Sequence, residues 1–225
     1  MVKIGMFSDT HSKHKQIFTE TDLNNIKDLD ILLFAGDMTS RGSLLEVISF
    51  LDWLDNLETT ATKIIIAGNH DFYFEQHPAR AKELLSKYKS IHYLEESSIT
   101  AHGLKIWGSP TNPIFFNWAF NDTDEVRKEK WLKIPKDTDI VLTHVPPYGI
   151  LDKVKNWDIR YNPEPNVGCK ELFFILKDIK PKLNCFGHIH EGRGIYVEDD
   201  ITFINASSLN ENYQVNKNNL ITIEL

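Results

Sequence analysis

Five short apolar runs in this 225-residue chain each stop at residues able to bind a cation. Residues 2–7 lead into Ser8-Asp9-Thr10-His11, 31–34 into Gly36-Asp37, and 63–66 into Gly68-Asn69-His70-Asp71. Residues 140–142 lead into Thr143-His144, and 183–186 into Gly187-His188-Ile189-His190. Runs of this length, rich in β-branched and aromatic side chains, read as buried strands. A parallel sheet collects the carboxyl ends of its strands along one edge, so five such endings converge on one place.

Between the second and third runs, Leu44, Val47, Ile48, Leu51 and Leu54 share a helical face, and Ser43 with Glu46 forms a capping box. Further along, 78–88 reads as a helix, 91–94, 99–101 and 104–107 as strands, and His102-Gly103 as a tight turn. The stretch 109–121 fits neither period and reads as an ordered loop, whose aromatics at 114–120 either anchor it or wall a binding site. Residues 122–132 and 168–179 read as helices, the charges of 124–130 forming a solvated face. The closing strands are 183–186, 194–197, 201–204 and 220–225. No repeat or Pro/Gly/Ser linker divides the chain, so a single domain over 1–225 is expected.

The formal charge of -7 argues against an extended nucleic-acid surface, which needs clustered Lys and Arg. No apolar run approaches the length of a membrane span, and the N-terminus enters a strand directly; a cytoplasmic protein is expected, with no membrane partner. Cys169 and Cys185 are too few for a disulfide scaffold and read as buried apolar residues.

Spacing carries the chemistry. In a strand, residues i and i+2 face the same way, so Asp9 and His11 can reach one ion, joined by His188 or His190 from a later strand end. Carboxylate, amide oxygen and imidazole without thiolate suit divalent manganese, iron or zinc. Two such ions can bind both the attacking and the leaving oxygens of an in-line displacement, which favours phosphate esters.

The five clusters, in this order and with these glycines, resemble the calcineurin-like metallophosphoesterases. Ser8-Asp9-Thr10-His11-Ser12, His144-Val145-Pro146-Pro147, the stretch 167–172, Gly187-His188-Ile189-His190-Glu191-Gly192 and Asn205-Ala206-Ser207 are similar to the branch of metallophosphoesterase-domain (MPPED) proteins. The resemblance implies a four-layer α/β/β/α sandwich of two mixed β-sheets flanked by helices. It implies two divalent metal ions, with manganese the expectation and iron or zinc the alternatives. Asp9, His11 and His190 would hold one ion, Asn69, His144 and His188 the other, and Asp37 would bridge them. His70 would face the scissile phosphate as the catalytic residue, with Asp71 as its orienting partner.

The activity implied is hydrolysis of phosphodiesters, cyclic nucleotides or nucleotide derivatives among them, by a metal-bridging hydroxide attacking in line. The partner is a small anionic phosphoester, a nucleotide being one candidate. A phosphomonoesterase or pyrophosphatase, and a nucleotide-binding or scaffolding protein with weak activity, are the alternatives. Among the remaining histidines, His77, His92 and His102 read as surface or packing residues, and His14 as a solvated loop residue with substrate contact as the alternative. Arg41 follows Asp37 closely enough to raise an outer role, although the usual acidic neighbour is Ser40 here.

Overall fold

The computed structural model describes residues 1–155 and 165–225. The strand β2 (Ile31–Ala35) shows how its layers arise: all five residues are buried, so both faces must be covered. Leu32 and Phe34 turn to one side, where helices pack, and Ile31, Leu33 and Ala35 turn to the other, where a second sheet packs.

The first sheet runs β13-β1-β2-β3-β4, built from β1 (Lys3–Phe7), β2, β3 (Thr62–Ile66), β4 (Ile91–Tyr93) and β13 (Ile221–Glu224). Its first four strands are parallel, and β13 closes it antiparallel to β1. The second sheet runs β11-β12-β10-β9-β6-β5, from β5 (Ser97–Ala101), β6 (Leu104–Ser109), β9 (Ile140–Thr143), β10 (Leu183–Phe186), β11 (Gly194–Glu198) and β12 (Ile201–Asn205). Four inner strands are parallel, flanked by antiparallel β5 and β11. A small ladder pairs β7 (Asn112–Pro113) with β8 (Asn121–Asp122).

Three apolar clusters separate four layers. The middle one joins Ile4, Met6, Leu33 and Ile66 of the first sheet to Ile106, Leu142, Cys185 and Ile204 of the second. Outside the first sheet lie α1 (Glu20–Lys27), α2 (Leu44–Asp55), α3 (Phe72–Gln76) and α4 (Pro78–Leu85). Outside the second lie α5 (Asp124–Trp131) and α6 (Lys170–Ile179), through Trp131, Leu172 and Leu176. The expected α/β/β/α sandwich of two mixed sheets is the observed fold.

Several local expectations shift. The capping box at Ser43 and Glu46 forms, but the buried face of α2 is Val47, Phe50, Leu51 and Leu54, while Leu44 is exposed. Helices α1 and α3 are additional to the expected elements. The charged stretch on α5 is not wholly solvated: Arg127 is buried, bonded to Asp124 (2.6 Å) and Glu171 (3.2 Å). His77, His92 and His102 are exposed, and both cysteines are buried. Among the described residues no helix is long and apolar enough to cross a membrane.

Candidate metal centre

The carboxyl ends of β1, β2 and β3 meet those of β9 and β10 at one edge of the sandwich. Short bonds lace the departing loops: Asp9 N donates to Gly36 O (2.9 Å), Ser8 N to Ala206 O (3.0 Å) and Gly187 N to His144 O (3.1 Å). Asp9 and His11 do not lie on a strand, since β1 ends at Phe7; both take the left-handed region (φ 51° and 39°). The expected reason for their convergence, strand alternation, is therefore replaced by a tight loop that turns both toward the same point. Asp37 (φ 59°) and His188 (φ 69°) share that unfavourable conformation, which non-glycine residues keep only where their surroundings enforce it.

Asp37 sits between two groups of donors. Its Oδ2 lies 3.6 Å from His11 Nε2 and 3.4 Å from His144 Nε2. On the first side, His11 Nε2 is 3.3 Å from His190 Nε2, which is 3.5 Å from Asp9 Oδ1. On the second, His144 Nε2 is 3.0 Å from Asn69 Oδ1. The His188 ring lies 5.0 Å from that of His144. Among the described residues, Asp9–His11–His190, His11–Asp37–His70 and Asp9–Asp37–His144 each bring one ligand atom per residue within 4.8 Å of one another.

Donor orientation tests whether a cation fits. His144 Nδ1 meets Ala35 O (2.7 Å) and His190 Nδ1 meets Asn210 O (3.0 Å). A carbonyl oxygen can only accept, so Nδ1 carries the proton in both rings and Nε2 offers its lone pair when the ring is neutral. Burial, chiefly, drops His11 to about 4, and burial with His144 drops His188 to about 3. Both are thus neutral near pH 7. Burial opposes protonation of His144 too, yet the adjoining Asp37 carboxylate lifts it to about 9; His190 is raised against its own burial by Asp9. Without a cation, the proton on His144 offsets the Asp37 charge, and a divalent ion would take its place. Oxygen and imidazole donors of this kind fit divalent metal ions.

Support for these donors comes from residues to which the sequence alone assigns no role. Asp9 Oδ2 accepts from Ser8 Oγ and from Ser207 Oγ (2.9 Å), and both its oxygens accept from His188 N (3.0 and 3.1 Å). Burial opposes its charge, but its bond and attraction to His190 hold its pKa below the usual range. Asn205, the first residue of Asn205-Ala206-Ser207, accepts from Ser207 Oγ (2.8 Å) and donates to Ile189 O (2.8 Å). Tyr213 packs edge-on against His11 (4.9 Å) and His190 (5.2 Å).

His70 lies beside the donors, its ring edge-on to His11 at 4.6 Å. The partner that orients it is Ser40 O, 3.0 Å from Nδ1, rather than Asp71. Asp71 instead accepts from Gly68 N (2.8 Å), Thr39 N (2.9 Å), Thr39 Oγ1 (2.8 Å) and Met38 N (3.2 Å). It clamps the loop carrying Asp37 to the loop carrying Asn69. Burial and the Asp37 charge raise it to about 7 against the bonds from Gly68 and Thr39. His14 corrects both readings offered for it: it is buried against Phe50 and Trp53, with Nε2 3.2 Å from Ser49 Oγ. Arg41 is exposed.

A two-sheet sandwich that gathers Asp, Asn and His donors at its shared edge defines the class, and the family model described as calcineurin-like phosphoesterase matches residues 2–192. The chain belongs to that family. It is 37% identical over 229 residues to Metallophosphoesterase domain-containing protein 1 of Homo sapiens, and equally to that of Mus musculus. These matches cover 92% of this chain, which spans 66% of the length of either relative. Among solved structures, TT1561 of Thermus thermophilus is similar in fold, with a TM-score of 0.67 at 14% identity over 92% of this chain and 89% of that one. Phosphopantetheinyl hydrolase from Mycobacterium tuberculosis superposes with a TM-score of 0.58 at 14% identity, covering 98% of this chain and 95% of that one.

Proposed function

We propose that the chain is a phosphodiesterase that works with two divalent cations, manganese foremost. The observation that carries this reading is the position of Asp37 Oδ2, within 3.6 Å of His11 on one side and 3.4 Å of His144 on the other. Asp9, His11 and His190 would hold one ion, Asn69, His144 and His188 the second, and Asp37 both. Cations held there supply Lewis acidity toward the phosphoryl oxygens and acidify water to near neutrality.

The chain's own residues do the rest. The carbonyl of Ser40 fixes the Nδ1 proton of His70, so Nε2 is the atom that exchanges a proton with the leaving oxygen. Neutral His11 and His188 keep their lone pairs available near pH 7. A cavity of about 790 Å3 continues from His11, Asp37, Asn69 and His70 along a largely apolar wall. That space supports a substrate with an ester group on each side of the phosphorus, a diester rather than a monoester.

The test is turnover of bis-p-nitrophenyl phosphate, p-nitrophenyl phosphate and 2′,3′-cyclic nucleotides with added manganese, iron or zinc, with bound metal measured alongside. The diesters should be hydrolysed fastest and with manganese, and Asp37→Ala and His144→Ala should abolish turnover. Absence of hydrolysis with every metal would replace this reading by that of a binding protein.

A further inference from the structure

The cavity leads from the candidate metal centre to a wall formed by Pro113, Ile114, Phe115 and Trp118. Ile114 is 62% exposed and Phe115 55% exposed. Adjacent large apolar side chains left in water mark a binding surface rather than a packing one. An anchoring role is the simpler expectation for these aromatics, and Ala119 and Phe120, both buried, fulfil it; Ile114 and Phe115 do not.

The wall is nonetheless held firmly. Asn121 Oδ1 accepts from Phe115 N (3.4 Å), and Asn121 Nδ2 donates to the carbonyls of Phe115 (3.3 Å) and Phe116 (3.0 Å). Ala119 N donates to Asn69 O (3.0 Å) and Phe120 N to Glu75 Oε1 (2.6 Å). The aromatic segment is thereby fastened to the loop that bears Asn69 and His70. Trp118 lies tilted against the His70 ring, centroids 4.1 Å apart at 31°. Phe115 meets Phe116 edge-on at 4.5 Å and lines the cavity.

Charge narrows what can lie there. The described lining beyond the wall carries Asp124, Glu171, Glu191 and Glu211 against Arg127 and Lys170. Arg127 is already paired with Asp124 (2.6 Å) and Glu171 (3.2 Å). Glu211 likewise holds Lys155 (3.4 Å), so a second phosphate would have to compete with these carboxylates for the nearby cations, whereas an uncharged planar group would meet the ring and alkyl surface of Phe115 and Ile114.

We infer that Phe115 and Ile114 form a leaving-group subsite for a neutral aryl or heteroaryl group, so that the substrates are esters with one phosphate and a flat, uncharged alcohol portion. The inference rests on the proposed hydrolytic use of the same cavity. Trp118 lines the same cavity and lies against His70, the residue proposed to serve the leaving oxygen.

The test uses manganese-loaded protein titrated with phenylphosphonate and with methylphosphonate, followed by calorimetry, which needs no turnover. Phenylphosphonate should bind about tenfold more tightly, the burial of one aryl face. Phe115→Ala should remove that preference and leave methylphosphonate binding unchanged, and Phe115→Leu should restore part of it. Equal affinities in the native protein, or a preference untouched by Phe115→Ala, would overturn the subsite while leaving diester turnover intact. Binding of neither phosphonate would overturn the subsite, and the hydrolytic reading as well only if bis-p-nitrophenyl phosphate is also not turned over with any metal. A native chain that sediments as a dimer and becomes monomeric with Phe115→Ala, its phosphonate preference unaltered, would assign the wall to a second copy.

Discussion

Replacing His14 by Gln should flatten the response of folding stability to acid. His14 is 2% exposed, and burial, reinforced by Lys15, holds its pKa down at about 4. In the unfolded chain a histidine titrates near about 6.5. Below that value the unfolded state takes up a proton that the native state refuses, so stability falls as pH falls; the loss is complete once pH passes the folded value. Integrated from about pH 7 to about pH 5, this one group costs about 2 kcal/mol. Glutamine cannot titrate and can still bond to Ser49 Oγ. Urea unfolding of both proteins at the two pH values isolates the effect, because every other titration is common to them. Equal losses of stability in the native chain and in His14→Gln would refute the claim that burial suppresses protonation here.

Three other outcomes are expected. His70→Ala should keep both metals, by elemental analysis, yet slow hydrolysis by about a hundredfold or more for esters with poor leaving groups and less for p-nitrophenol. Gly187→Ala should lower metal content from two ions toward one and reduce kcat, because a Cβ there would press on Asp9 Oδ2 and Ser8 Oγ; plasma mass spectrometry reads the stoichiometry. Chelation with EDTA should lower Tm, and restoring manganese to about a hundred times its Kd should return about 2.7 kcal/mol of stability. A Tm indifferent to metal concentration would contradict the fit of the donors to cations.

The sheets are legible in the sequence because their strands are short, buried runs whose composition leaves few alternatives. The five parallel strands that carry the candidate ligands lie within a residue or so of the expected bounds. Helix α1 is not legible because only Asp22 and Ile26 are buried within it, too few to mark a face. The capping pair of α2 fixes its start, whereas spacing alone misassigns its buried face, because Phe50, not Leu44, points inward. Residue type is enough to find Asp9 and His11, but the loop that aligns them depends on bonds to Gly36 and Asp37 from a distant strand. No local pattern reports such bonds. The same holds for Asp71, whose four donors come from two loops, and for Ser207, which reaches Asp9 from the far end of the chain. The burial of His14 is hidden because its neighbours Phe50 and Trp53 lie on a helix that sequence spacing cannot place against it.

Asp9, His11, Asp37 and His188 all sit at positive φ, where an L-residue loses about 1 kcal/mol or more relative to glycine. Summed over the four, that is a substantial share of the few kcal/mol by which a domain of this kind stays folded. Selection for robustness alone would drive these positions toward glycine and erase the candidate donors with them. Screens that rank variants by heat resistance should therefore enrich inert chains, and libraries built to improve this scaffold need these four positions locked from the outset.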